Sequence, residues 1–459
     1  MKTRLPAARA LLLCAPLMLS ATGCSDGGGG DEPSLAPASN VIANPAVAAD
    51  GSTPAADVGW SAPASDEVTG YSISASSAGQ DTVSKIVDGS THSATLTGLV
   101  ADLDYSVSVT TQYAEGASSS TATSVHTPRL TNTVAETLAF QNAADYSASH
   151  NGDAVMIMRD GQIVFERYVG SYNRDDQHVL ASGTKSFSCA LLLAAEGDRY
   201  LSRNDVVANT ITEWKSDPNK SKATALQVLS LQSGLSTNPD YSPADVADLD
   251  TYQLAIDDPA NYAPGQAFIY DPIAFQAFAL MFERKSGNTD PVSYLQDKIF
   301  SKLGIGASDY AWQRDAEDHP QMAGGASISA PQWARYGQMM LQNGTWQGTR
   351  VLPAAGVKDC LTYENPAYLG YGITWWLNRN VGSTYDPSVD VIPADGVAGS
   401  GGQIAPRVPA DMIMAAGTGH QRMFLLPTQR MVVIRFAPLT TELDEWSDDE
   451  FLARVLGSS

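Results

Sequence analysis

The chain is poor in the residues that build metal and redox centres. It has four cysteines and six histidines in 459 residues, with no C-x-x-C and no H-x-x-x-H spacing. Neither a metal nor a cofactor is therefore expected. Basic side chains are scarce too: 28 Lys and Arg stand against 50 Asp and Glu, a formal charge of −22. So acidic a surface is a poor partner for nucleic acid or anionic lipid. Long apolar runs are missing after the first two dozen residues, so no internal segment is expected to span a bilayer.

The beginning of the chain has the form of an export signal. Lys2 and Arg4 precede the apolar stretch from Ala10 to Leu19, followed by Ala21-Thr22-Gly23-Cys24. That ending resembles a bacterial lipoprotein signal, which implies removal of residues 1–23, lipidation of Cys24 and anchoring in the cell envelope; simple secretion is the alternative. Losing Lys2, Arg4 and Arg9 takes the charge of −22 to −25. With Cys14 in the leader and Cys24 at its end, Cys189 and Cys360 remain. Cys189 lies on an apolar helix, so a buried free thiol is expected there, with a Cys189–Cys360 disulfide as the alternative.

Residues 24–38, with four consecutive glycines, read as a flexible tether. From 39 to 128 the texture is that of short alternating strands: Val58-Gly59-Trp60, Gly70 to Ser74, Ser93 to Leu96 and Tyr105 to Val109, punctuated by Gly and Asp turns. This predicts a small all-β sandwich. Trp60, Leu99 and Leu103-Asp104-Tyr105 resemble a fibronectin type III domain, which implies that Tyr105 occupies the tyrosine corner and that the module serves as a spacer.

After His126-Thr127-Pro128-Arg129 the pattern changes, and residues 129–459 read as a second domain. Thr133 to Tyr146 predicts a helix. Ala154 to Met158 and Gln162 to Tyr168 predict two strands joined through Asp160-Gly161, a strong hairpin signal. An apolar helix is expected from Ser182, then another over Ala225 to Leu235, closed by glycine, and a third running from Pro272 through Met281. Leu369 to Leu377, Met412 to Ala416, Met423 to Leu426 and Met431 to Phe436 read as strands, and Leu443 to Leu456 as a closing helix. The fold class is α+β (α/β): an antiparallel sheet built from both ends of the domain, flanked by helices, with a helical subdomain inserted.

Within this frame Ser182-Gly183-Thr184-Lys185 carries the chemistry. A serine three residues before a lysine shares a helix face with it. A serine hydroxyl is a weak nucleophile until a base takes its proton, and a buried amine can be that base. The helix N-terminus adds free N–H groups for an oxyanion. This S-x-x-K arrangement resembles that of penicillin-recognising serine enzymes. Further phrases extend the resemblance across the domain: Arg159 to Tyr168, Ser233-Gly234-Leu235, Ala263-Pro264-Gly265 with Tyr270, Ala334 to Gln338, Gly370 to Trp376 and Ala416 to Gln421. In that order they resemble the β-lactamase-like serine hydrolases, which include class C β-lactamases, DD-peptidases, esterases and nylon-oligomer hydrolases, the last being closest in phrasing.

The resemblance implies Ser182 as nucleophile, Lys185 and Tyr270 as proton-transfer groups, and an oxyanion hole from the N–H groups of Ser182 and Thr418. Tyr241 and His420 are candidates for substrate contact. Two features depart from the family. Its Tyr-x-Asn reads Tyr270-Asp271-Pro272, and its Lys-Thr-Gly reads Gly417-Thr418-Gly419-His420, without the lysine. The function expected is therefore an extracytoplasmic, carboxylesterase-like hydrolase of small esters, amides or peptides. A penicillin-recognising peptidase or β-lactamase is the rival enzyme reading. A non-catalytic adhesion or sensor protein is the other, and an intact Ser182, Lys185 and Tyr270 argue against it.

Overall fold

The hairpin expected at Asp160-Gly161 is the seed of the larger sheet: Ala154–Arg159 pairs with Gln162–Tyr168, and Asp160 and Gly161 turn the chain at φ 52° and 82°. The computed structural model describes residues 35–48, 53–64, 67–128, 132–236, 246–382, 402–439 and 445–458. Tyr241, Cys24 and the leader lie outside the described residues.

Six antiparallel strands form the sheet, in the order Trp376–Leu377, Ile413–Gly417, Gln421–Leu426, Met431–Phe436, Ala154–Arg159, Gln162–Tyr168. Early and late strands meet where Ala154 faces Phe436 and Arg159 faces Met431. The three long late strands are buried along their whole length and, apart from Gln421, Arg422 and Arg435, carry apolar or small residues without alternation. Helices Val134–Ser149 and Asp448–Val455 pack together near one face, and Ala330–Leu341 lies across the central strands. Val134–Ser149 starts as the sequence suggests, with Thr133 and Glu136 forming a reciprocal capping box. Among the described residues, no helix is long and apolar enough to cross a membrane.

Several expectations need correction. The helix predicted over Ala225 to Leu235 stops at Leu229, because Ser230 turns its hydroxyl back onto the Leu226 carbonyl at 2.7 Å. Gly234 then serves a later turn, with φ 84°. Of the stretch Leu369 to Leu377 only Trp376–Leu377 is a strand; Thr374, at φ 70°, bends the chain before it. Cys189 is not a free thiol: it is bonded to Cys360, which lies on the helix Ala354–Thr362. A contact between helices 171 residues apart has no local signature in the sequence.

The N-terminal module is a two-sheet sandwich. Ser39–Val47, Pro54–Ser61 and Ser93–Thr97 form one sheet, and Val83–Asp88, Val68–Ser76, Asp104–Tyr113 and Gly116–His126 the other. Trp60, Tyr71, Leu96, Leu99 and Tyr105 fill its core. The Tyr105 hydroxyl accepts the Val100 N–H at 3.1 Å, the corner bond that its position implied. The end of the proposed tether is part of this module. Ala38 is buried, and the Ala36 and Ala38 carbonyls accept hydrogen bonds from Tyr113 and Thr121.

Nor is the module a detached spacer. Asn44 Oδ1 accepts the backbone N–H of Tyr168 at 2.6 Å, on the edge strand of the large sheet. Beside it Arg174 Nε stands 3.0 Å from the buried Glu166 carboxylate, and its Nη1 is 3.3 Å from Asp104, which also meets His126 at 2.9 Å. Burial pushes the Glu166 carboxyl above its ordinary range, opposed by the charge of Arg174.

Candidate active site

Ser182 sits on a 3-10 turn, Ala181–Ser186, that runs directly into the helix Phe187–Gly197. The sequence placed it on the first turn of an α-helix; the tighter turn eclipses residues three apart and so stacks Lys185 on Ser182. Lys185 Nζ donates to Ser182 Oγ at 2.9 Å and to the Ala323 carbonyl at 2.8 Å. Lys185 is 3% exposed and Ser182 is half-buried, so the ammonium lies beneath the hydroxyl.

Neighbouring elements hold this turn. Thr184 Oγ1 accepts the Ala326 N–H, Leu180 N–H donates to Ala326 O, and Tyr336 Oη donates to the Ser186 carbonyl. Two glycines allow the close approach. A Cβ on Gly183 would lie 3.0 Å from the Trp333 ring, and one on Gly417 only 2.1 Å from the Leu180 carbonyl oxygen. The strand Ile413–Gly417 therefore runs against the serine turn. Thr418 follows it at the exposed rim, next to the segment that carries Ser182. Ala181 adopts φ 46° just before Ser182, backbone strain of the kind that gathers at functional sites.

Tyr270 comes from a different direction, on the segment leading into the helix Ile273–Ser286. Ile269 N–H donates to Leu231 O, and the Tyr270 ring stacks on Trp376 with centroids 5.3 Å apart. Lys185 Nζ lies 4.9 Å from the centroid of the Tyr270 ring and 5.4 Å from that of Phe275, close enough for cation–π attraction. The same helix orders the lysine's second acceptor. Gln276 Oε1 takes the Met322 N–H at 2.8 Å, and Ala323 is the next residue. Ser182, Lys185 and Tyr270, separated by up to 88 residues in sequence, thus converge.

The remaining candidates fare differently. His420 sits at φ 58° in the turn between two strands; its Nδ1 lies 3.2 Å from Arg422 Nη2 and its ring lies beside Trp446. Buried Arg435 donates to the Gly419 and His420 carbonyls from below, so two guanidinium groups shape the turn after Gly417. Tyr241 lies outside the described residues.

Ligand atoms of Asp250, Asp315 and His319 lie within 4.8 Å of one another. Asp250 Oδ1 accepts the N–H groups of Tyr252 and Gln253, while Asp315 accepts from Thr251, Glu317 and His319. That cluster caps helix and loop backbone.

Sequence reasoning missed three parts of the site. The Ala323 carbonyl is backbone and leaves no trace in residue type. Trp376 was only one aromatic among several in its phrase. Asp271 was noticed merely as a neighbour of Pro272, yet it is 1% exposed and close to Asp258, which is 4% exposed. Burial pushes both carboxyls up, Asp258 to about 7, against the pull of Lys220 on Asp258 and of Lys185 on Asp271.

Comparison with known proteins supports the architecture. Residues 131–456 match the family described as Beta-lactamase, and residues 40–127 match the fibronectin type III domain. A curated relative, the 6-aminohexanoate-dimer hydrolase of Paenarthrobacter ureafaciens, is 26% identical over 259 residues. That match covers 50% of this chain and 64% of the relative, less than two thirds of the relative's length. A solved structure from Bacillus anthracis, provisionally described as a 6-aminohexanoate-dimer hydrolase, superposes with a TM-score of 0.54 at 19% identity, covering 68% of this chain and 80% of its own. A family VIII carboxylesterase gives 0.53 at 16% identity, with coverages of 70% and 96%. At such identities the two superpositions show a common fold.

Proposed function

The chain belongs to the beta-lactamase family, and from that premise we propose that it is a serine hydrolase of ester or amide bonds working through an acyl-enzyme on Ser182. One observation carries the reading: a lysine buried to 3% exposure, hydrogen-bonded at 2.9 Å to a half-exposed serine, with a tyrosine ring over its ammonium. Lys185, with Tyr270, takes the proton of Ser182 Oγ as that oxygen attacks the carbonyl carbon. The N–H groups of Ser182 and Thr418 receive the oxyanion. The proton passes by way of Tyr270 to the leaving alkoxide or amine, and the acyl group stays on Ser182. A water, deprotonated by the same groups, then attacks the acyl carbon and frees the acid.

The substrate class follows from what the two altered motifs lack. Pro272 has no side-chain amide to hold a substrate carbonyl, and no lysine precedes Thr418 to hold a carboxylate. Attack on a simple ester needs neither, so small uncharged esters are favoured over β-lactams. Linear amides are the second reading, supported by the relative described as a 6-aminohexanoate-dimer hydrolase. The setting is extracytoplasmic: the leader and Cys24 point to a lipid anchor, and a buried Cys189–Cys360 disulfide suits an oxidising compartment. Comparing kcat/KM for a short-chain p-nitrophenyl ester and for nitrocefin on one preparation tests the substrate class. The ester should be turned over and nitrocefin negligibly. Nitrocefin turnover equal to or above that of the ester overturns the reading.

A further inference from the structure

Two carboxyl groups that acyl transfer does not use lie directly behind Tyr270. Asp271 is the next residue in the chain, and Asp258 follows the helix Thr251–Asp257. Asp271 Oδ1 accepts the Ile273 N–H at 2.9 Å, the turn that opens the helix Ile273–Ser286. Asp271 Oδ2 and both Asp258 oxygens are sealed from solvent, and among the described residues no well-directed N–H or O–H reaches them. The two side chains act on each other as neighbours, and a hydrogen bond between them is what would satisfy these orphaned oxygens. Carboxylate oxygens only accept, so that bond exists only when one carboxyl carries a proton.

The charges facing the pair explain why a proton fills this role. Lys220 Nζ, the ammonium beside Asp258, is already committed to the carbonyls of Ile256 and Asp258 at 2.9 and 2.8 Å. Lys185 attracts Asp271 from the active-site side, but its Nζ is bonded to Ser182 and Ala323. The Ser236 N–H faces Asp258 and donates to the Pro259 carbonyl. Two unscreened carboxylates at this depth would repel strongly.

We propose that Asp258 and Asp271 share one proton as a positioning pair, which fastens the loop after Thr251–Asp257 to the first turn of Ile273–Ser286 and so holds Tyr270 over Lys185. When the proton leaves, the two carboxylates part and Tyr270, one residue away, is carried off its stack on Trp376. A displacement of about 1 Å in such a group lowers the rate about 10²-fold. The pair therefore acts through Tyr270 and gives the enzyme an alkaline limit. This proposal rests on the serine-hydrolase reading above.

The test uses the full chain, a p-nitrophenyl ester and pH profiles of kcat and KM. In the wild type kcat falls at alkaline pH, as the shared proton leaves Asp271, whose carboxyl burial holds well above its ordinary range, while KM changes little. Asp258→Asn supplies a permanent N–H to the Asp271 carboxylate, so it keeps kcat at low pH within about threefold and loses the alkaline limb. Asp258→Ala has no donor and is slow at every pH. Thermal unfolding gives a readout free of turnover. The folded pair keeps a proton that the unfolded carboxyls release near pH ~4, so wild-type stability falls from about pH 4 to about pH 7. Asp258→Asn should lose the part of that fall that Asp258 contributes.

If Asp258→Asn retains both the wild-type alkaline limb and the wild-type decline in Tm, the shared proton is wrong. An Asp258→Asn protein that is inactive at all pH yet still acylated at Ser182 also overturns it. Failure of the hydrolase reading looks different: Ser182 would resist acylation in the wild type, whatever the Tm profiles showed.

Discussion

Cys189 and Cys360 join the helix that follows Ser182 to the helix Ala354–Thr362. The bond closes a loop of 171 residues, and in the chain-entropy account such a loop contributes at most about 5 kcal/mol. Reduction, or replacing both cysteines by alanine, should therefore lower the midpoint of denaturant unfolding clearly. Peptide mapping that finds Cys189 or Cys360 alkylated in the unreduced, unfolded protein would contradict the pairing.

Arg174 is the hinge-pin between the two domains, set between buried Glu166 and Asp104 of the sandwich. Arg174→Ala leaves the Glu166 carboxylate buried without its cation, a loss of about 3–5 kcal/mol for a fully buried pair and less here, since Arg174 retains some exposure. The Glu166 carboxyl is held above its ordinary range, so protonation relieves it on acidification. Its unfolded counterpart ionises near pH ~4, so the destabilisation should be large at neutral pH and shrink on acidification as Glu166 takes up a proton. Equal losses at both pH values would show that Glu166 is not the group left stranded.

Tyr270→Phe keeps the ring that stacks on Trp376 and removes only the hydroxyl. The fold should survive, and kcat should fall about 10²–10⁴-fold, the usual reach of general acid–base help. A loss below about threefold would recast Tyr270 as a packing residue.

Where local pattern dictates structure, the sequence was readable. Asp160-Gly161 announced its hairpin, the apolar runs announced the late strands, and Ser182 with Lys185 could be paired from their spacing alone. The tyrosine corner at Tyr105 was implied by the resemblance to a fibronectin type III domain. What could not be read depends on chain segments that meet only in the fold. The Cys189–Cys360 bond, the Ala323 carbonyl under Lys185 and the meeting of Asp258 with Asp271 are of this kind. Asn44 on Tyr168 is another, and it turned an expected spacer into a docked module. The short helix Ala225–Leu229 failed for a local reason: its apolar period runs on past a serine that ends it by hydrogen-bonding backwards.

Covalent labelling of Ser182 tests the central claim most directly. A fluorophosphonate needs only an activated serine and an oxyanion hole, and no knowledge of the natural substrate. Intact-mass and peptide analysis should find one adduct per chain, on Ser182, with none in Ser182→Ala and a much slower reaction in Lys185→Ala. Ester hydrolysis that persists in Ser182→Ala, or a wild-type chain that turns over ester while Ser182 stays unlabelled, would contradict the account.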